Sequence, residues 1–508
     1  MTITHTEIST PLYAVIDLGS NSFHMLITRQ LANSVQVVDK VKRKVRLASG
    51  LNSQNLLSQT AIARGLECLS FFAERLQDIP QENVRIVATA TLRLATNREE
   101  FLSQANKILG KKISLLSGEQ EAENIYLGVA HTSCGAKQRF VIDIGGASTE
   151  LILGDGFVTS HVESLDIGCV TFNNNYFSDG KLTRNNFTQA IHAAKTVITP
   201  LVESYKNTGW QLVLSGSGTM QALSEIQNFT HQSSGIDLLF LQKIQQQLID
   251  CKTMNKININ GLSNERSPVI ASGLAILTAL FESFSIHKIQ LSSGALREGL
   301  LYGMLPESID TPIRQSTINS LTEKFHIDSR HAKRIKKQAT SLFHIYKSAW
   351  PLDDKNGLAL LHAACELHEV GLLLEFKQHQ RHGAYMLQHA DLPGFDQADR
   401  QLLVALVLLY KGDIDLTLLK KQTVLSFNEA SYLLVILRLA VILCRRRKDD
   451  ALPDYQTAII KNTDGDDIIN LCLPTTWLTQ HPLIADELLQ ENAHLAQLNL
   501  SLNIYCEV

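Results

Sequence analysis

Apolar positions along the chain follow two regimes that change near residue 310. Before it, short runs rich in Val, Ile and Leu alternate with longer amphipathic stretches, which predicts strands interleaved with helices in an α/β layer fold. The first run, Leu12–Leu18, breaks at Gly19, Ser20, Asn21 and Ser22 and resumes at Phe23–Ile27, a strand, tight turn and strand. A basic strand over Gln36–Arg46, an amphipathic helix over Gln59–Leu76, a strand at Val84–Ala88 and a helix opening at Thr91–Leu94 follow. Ile113–Leu116 reads as a strand that leads into a helix from Glu119 to Val129. The plan then repeats: a hairpin around Asp143, a helix over 185–206, a strand at Gln211–Leu214, the turn Ser215–Thr219, helices at 238–252 and 268–283, a strand at Lys288–Leu291 and a helix over Leu296–Met304. Pro306–Pro312 reads as a linker. Beyond it the period is near 3.6, as in Leu358–Leu367, Ala398–Tyr410 and Ala430–Leu443, and strand-like runs return only in the tail, at Ile468–Leu473 and Leu498–Tyr505 around one helix. The expected domains are 1–125, its repeat 126–309, an all-α domain 310–448 and a small α+β domain 449–508.

The repeat carries chemistry. Residues 12–22 and 138–148 share one pattern, an apolar β-branched run ending in Asp, an apolar residue, Gly, two small or polar residues and Ser. Glycine lets a turn's backbone approach a ligand closely, and successive N–H groups there form an anion nest. The strand-end carboxylates, Asp17 and Asp143, can hold a divalent cation directly or through water. Two such turns face to face would clamp a metal-bound phosphoryl group, held by Gly19, Ser20, Asn21 and Ser22 on one side and by Gly145, Gly146, Ala147 and Ser148 on the other. Gly216, Ser217, Gly218 and Thr219 form a third candidate phosphate loop. Glu150 stands on the returning strand of the second hairpin and can point back at its turn. Cleaving a phosphoanhydride also needs a carboxylate to aim and deprotonate water. Glu119, Glu121 and Glu123 all lie at one helix start, where negative charge is also merely stabilising, so spacing does not choose among them. Arg93 opens a helix after a strand, where its guanidinium can fork onto a phosphate.

Composition narrows the partners. The 508 residues are 44% hydrophobic and 19% charged, enough for large cores. A net charge of −3 argues against nucleic acid as the partner of the whole surface, so any polyanion must meet a local basic site. Candidates are Lys40, Lys42, Arg43, Lys44 and Arg46, then Arg330, Lys333, Arg334, Lys336 and Lys337, then Arg445, Arg446, Arg447 and Lys448. Each cluster is a solvated face by default, but a substrate with five phosphates needs countercharge near the cleft. Eight cysteines without a Cys-x-x-Cys pair, and no signal-peptide pattern, read as buried thiols in a cytoplasmic protein. Apolar stretches such as Leu402–Tyr410 and Tyr432–Leu437 are too short to span a bilayer, so no membrane is expected.

Taken in order along the chain, Ile16–His24, Ala90–Arg93, Ser117-Gly118 with Glu121-Ala122, Asp143–Glu150, Gly168–Val170 and Gly294–Gly299 resemble the exopolyphosphatase/guanosine pentaphosphate phosphohydrolase family. The resemblance implies a duplicated actin-like core of the ribonuclease-H type, shared with sugar kinases and heat-shock chaperone ATPases, followed by a helical domain and a small α+β domain. It implies Glu121 as general base, and Asp143 and Glu150 as residues that help bind Mg²⁺ and position water. It also implies phosphate contacts from the two glycine turns and Arg93, and a homodimer. Val41–Ser53, Gly146-Ala147-Ser148 and Trp477–Pro482 are closer to the branch that removes the 5′ γ-phosphate of guanosine pentaphosphate (pppGpp) in the stringent response, giving ppGpp. The other branch trims inorganic polyphosphate, and dual activity is compatible with the shared chemistry. The rivals are an actin-like kinase and a non-catalytic guanosine polyphosphate-binding regulator, the second disfavoured by the intact set Asp17, Glu121, Asp143 and Glu150. Ser267 departs from the Ala that relatives often carry after Arg266. In the helical domain His362, His368-Glu369 and His382 resemble a worn metal phosphohydrolase site, with Glu369 in place of an Asp and no clear downstream Asp. Helix packing and substrate-channel shape are the expected roles there.

Overall fold

The computed structural model describes residues 11–31, 34–133, 138–229, 235–305, 313–449, 451–461 and 466–505. It divides into two compact units, Met1–Ile313 and Arg314–Val508. The proline-flanked stretch 306–312 lies outside the described residues.

The first unit holds two five-stranded sheets built alike. β1 (Leu12–Leu18), β2 (Ser22–Leu31), β3 (Ser34–Lys44), β4 (Val84–Ala88) and β5 (Ser114–Leu115) lie in the order β3-β2-β1-β4-β5. β6 (Gln138–Ile144), β7 (Thr149–Asp155), β8 (Val158–Leu165), β9 (Leu212–Ser215) and β10 (Gln290–Leu291) lie in the order β10-β9-β6-β7-β8. Read outward from the first strand of each, the two orders are the same, with an antiparallel meander on one side and parallel strands on the other. This is the duplicated actin-like arrangement. Period-2 alternation explains how the sheets are covered. Ala14, Ile16 and Leu18 face the core of the first lobe, and Phe140, Ile142 and Ile144 that of the second. Val15 and Val141, one position out of phase, meet in a shared core with Ile125 and Tyr126 of helix Gly118–Ala130 and Leu296 and Leu300 of helix Leu296–Tyr302. The two lobes are therefore joined through apolar packing behind the two hairpins.

Several elements depart from the sequence reading. β8 alternates between half-buried and exposed residues, and its pairing with β7 makes it a strand more than its own composition does. A helix, Gly218–Phe229, starts inside the Gly/Ser turn, because the Ser217 hydroxyl accepts the Met220 N–H at 3.2 Å and caps it. The tail has two helices, Thr475–Gln480 and Pro482–Leu495, split at His481 by the proline that opens the second. Ser267–Phe284 is long and apolar enough to cross a membrane, contrary to the apolar-run expectation, but 72% of it is buried inside the protein, where Ile270–Phe281 forms the core of the second lobe. The six described cysteines are all free thiols, four of them buried.

The second unit packs helices from Ile313–Lys324 to Phe427–Leu443 together with the sheet β11 (Gln456–Lys461), β12 (Asp467–Cys472) and β13 (Leu500–Tyr505) around one core. Arg438, 2% exposed, forks onto Glu491 with Nε–Oε1 at 2.6 Å and Nη2–Oε2 at 2.8 Å, and donates from Nη1 to the Leu409 and Gly412 carbonyls. Glu491→Ala should destabilise this unit by about 3–5 kcal/mol, because it strands a buried guanidinium. Urea denaturation checks this, and a loss below about 1 kcal/mol would show that water reaches the arginine.

Candidate active site

The strand register sets the site. On an antiparallel ladder, directly opposed residues project to the same side. Asp17 opposes His24, and His24 opposes Lys42. In the second sheet Asp143 opposes Glu150, and Glu150 opposes Ser164. Each hairpin thus carries a transverse row that starts at the acid before the turn. The carboxylate pair Asp143 and Glu150 is a direct product of the seven-residue offset seen in the sequence.

The two turns meet. Gly146 sits so close to the first turn that a Cβ there would lie 2.8 Å from Ser20 Cβ, which excludes any larger residue without a shift. Ser20, Ser22 and Ser148 are buried, and Ala147 is buried against Gly168. The first turn is braced by β3 and its following loop: the Asn21 carbonyl accepts from Val45 N and Arg46 N, and the Ser20 carbonyl from Ala48 N. The second is braced by the helix Cys169–Tyr176, whose Cys169 and Val170 amides donate to the Gly145 and Gly146 carbonyls.

Helix Gly118–Ala130 separates the three glutamates by burial. Ser117 and Gln120 form a capping box that fixes its start. Glu119 and Glu123 are exposed, whereas Glu121 is only 8% exposed and turned toward the cluster. Arg93 Nη1 reaches Glu121 Oε2 at 3.1 Å and the Leu116 carbonyl at 2.9 Å. The arginine expected to fork onto phosphate therefore contacts and orients the glutamate. Glu150, 1% exposed, accepts from Ser164 Oγ at 2.9 Å and from the Ser148 hydroxyl.

Burial dominates the electrostatics. It raises Asp17 to about 6, offset in part by Arg297. Burial, then Glu121 and Asp17, raises Asp143 to about 7. Burial and Asp143 raise Glu150 to about 7, and burial with Glu150 lifts Glu121 well above the usual carboxylate range. Burial pushes His24 down to about 2, with help from Arg297, so its ring is neutral and Nδ1 meets Arg297 Nη1 at 3.2 Å. Asp17 Oδ1 and Asp143 Oδ1 are buried without any hydrogen-bond partner. Unpartnered carboxylate oxygens in an all-oxygen cluster are the donor set of a hard divalent cation, so the residues fit Mg²⁺.

In the third loop the side chains are engaged within the protein. The Ser217 hydroxyl is engaged with Ser215 Oγ at 3.0 Å and with the helix cap, and Thr219 is buried against Gly273. Gly216 packs against Gly294 and Ala295. Gly218 is covered by the Arg266 guanidinium, which a Cβ there would overlap. Sequence reasoning assigned no role to Arg266, Arg297, His24 or Ser164. Arg297 opens a helix after a Gly-Ala turn, the same signal that pointed to Arg93. Ser164 had no local signal, since its role comes only from pairing.

Comparisons with known proteins give the family. Residues 26–308 match the Ppx/GppA phosphatase family, and residues 313–492 match its domain III. Two relatives described as guanosine-5'-triphosphate,3'-diphosphate pyrophosphatase are each 47% identical. The one from Pseudoalteromonas translucida aligns over 97% of this chain and 98% of its own, the one from Photobacterium profundum over 95% of each. Among solved structures, an exopolyphosphatase from Cytophaga hutchinsonii shares the fold, with a TM-score of 0.53 at 22% identity over 58% of this chain and 97% of that one. With both segments matched in order and near-full-length relatives at this identity, the chain belongs to the Ppx/GppA phosphatase family.

Proposed function

We propose that this protein hydrolyses the terminal 5′ phosphoanhydride of guanosine pentaphosphate, releasing phosphate and ppGpp. The observation that carries the reading is the convergence of Asp17, Glu121, Asp143 and Glu150 on two glycine turns that touch at Ser20 and Gly146. Turn amides hold the outermost phosphoryl group, and Asp17, Asp143 and Glu150 would hold Mg²⁺ directly or through water. When bound, Mg²⁺ offsets the charge on the phosphoryl oxygens. Glu121, oriented by Arg93, accepts the proton of the attacking water as that water's oxygen bonds to the terminal phosphorus. The bond from that phosphorus to the bridging oxygen breaks, and the bridging oxygen leaves on the tetraphosphate.

The row Asp17–His24–Lys42 brings a lysine to the first lobe, paired with Glu265 at 3.3 Å, with Arg266 next to that glutamate in sequence. That charge suits any linear polyphosphate, so inorganic polyphosphate is a second substrate class. Phosphate release from pppGpp and from polyphosphate at equal concentration with Mg²⁺ tests the reading. Faster release from pppGpp is expected, release from polyphosphate alone would transfer the assignment to it, and release from neither would leave a binding protein.

A further inference from the structure

The second unit contains a cluster that the hydrolysis does not use. Among the described residues, His331, His368 and Glu369 are the one set of three His, Cys or acidic side chains whose ligand atoms all lie within 4.8 Å of one another, and all three are buried. We propose that these residues form a metal site for a borderline transition ion of the Zn²⁺ class, bound in the second unit independently of the carboxylate cluster.

Two observations support a ligand there. His331 is 3% exposed, and its Nδ1 is buried with no hydrogen-bond partner, an arrangement that costs free energy unless something binds it. His368 is 1% exposed, and its Nδ1 lies 2.9 Å from the Cys365 carbonyl, which fixes Nδ1 as the donor and leaves the Nε2 lone pair free, 3.9 Å from Glu369 Oε1. A backbone carbonyl that orients one imidazole nitrogen so that the other can coordinate is the usual outer support of a histidine ligand.

The surroundings are compatible. Arg447 contacts Glu369 Oε1 and lies 3.4 Å from Asp328, but its side chain is 43% exposed, and a carboxylate can accept from an arginine on one oxygen and coordinate with the other. Arg445 nearby is neutralised by its fork onto Glu487. Two imidazoles and one carboxylate, with a fourth position for water, select Zn²⁺-like ions over Mg²⁺. The set differs from the one suggested by sequence. His362 Nε2 is engaged with the Thr340 hydroxyl at 2.8 Å, and His382 pairs only with surface Glu375, whereas His331 arrives from the capped first turn of helix Ser329–Tyr346. A bound ion would tie that turn to the end of helix Asn356–Leu367 and so brace the unit.

The test uses the full-length protein stripped of metal and held in excess Mg²⁺, which occupies oxygen-only sites. Titration with Co²⁺ should give a visible absorption band of imidazole-ligated metal that saturates at about one equivalent and is displaced by Zn²⁺. His331→Gln and Glu369→Gln should each weaken that binding by at least the roughly 100-fold typical of losing a supporting contact. Zn²⁺ should raise the melting temperature of the unaltered protein but not that of His331→Gln. No saturable band in the unaltered protein overturns the proposal, and this result does not depend on any variant folding. Equal affinity in both variants overturns it as well.

Discussion

Glu121→Gln should lower phosphate release from guanosine pentaphosphate by about 10² to 10⁴-fold while leaving the fold intact. The substitution keeps size and an acceptor oxygen for Arg93 Nη1, so the helix start and its capping box have no reason to change. What it removes is the ability to take a proton from water. The loss should therefore appear in kcat with KM little altered, because the phosphate-holding turns are untouched. Near-normal kcat would move the base to Glu150, the other buried glutamate of the cluster. Arg93→Ala should lower kcat as well and should also raise KM, since the guanidinium serves both the glutamate and the phosphate.

The second large effect is on stability, and its sign is opposite to that of most substitutions. Asp17, Asp143 and Glu150 titrate at about 6, 7 and 7 in the folded protein, above their ordinary values of 3.8, 3.8 and 4.5. The folded state therefore holds more protons than the unfolded chain between roughly pH 4 and 7. Without metal, stability is highest below that window and falls as pH rises through it. The fall should show as a lower melting temperature at pH 8 than at pH 5, because a gain in proton affinity on folding stabilises the folded state only while the proton is bound. Mg²⁺ should abolish it by pairing with the ionised carboxylates. Asp143→Asn should melt higher than the unaltered protein at pH 8 without Mg²⁺, gain little from added Mg²⁺, and release little phosphate. Melting curves at pH 5 and pH 8, with and without the ion, check this. A variant that melts lower at pH 8 in the absence of metal would show that Asp143 is paired by something other than a cation.

Both effects rest on parts of the molecule with unequal legibility. The hairpins could be read because their strands are continuous apolar runs and their turns are punctuated by Asp and Gly. The Asp143–Glu150 pair could be read because a tight turn fixes the register once its ends are known. Glu121 could not be chosen from Glu119 and Glu123 by spacing, since Glu119 and Glu123 share one helix face and Glu121 lies on the other, and only packing says which face turns inward. Arg266 and Arg297 reach the cluster by tertiary contact alone. In the second unit, His368-Glu369 was visible as a dipeptide, but its partner His331 lies 37 positions earlier on another helix, at a distance no local pattern spans.

The two transverse rows have a consequence for how a substrate is oriented. Both hairpins begin with the same aspartate, yet one row ends in a lysine and the other continues through a glutamate to a serine. The two halves share one plan but differ in charge, one row setting a lysine beyond its acid and the other a second acid. A linear polyanion laid between such unequal halves meets more repulsion along one row than along the other, which favours one heading.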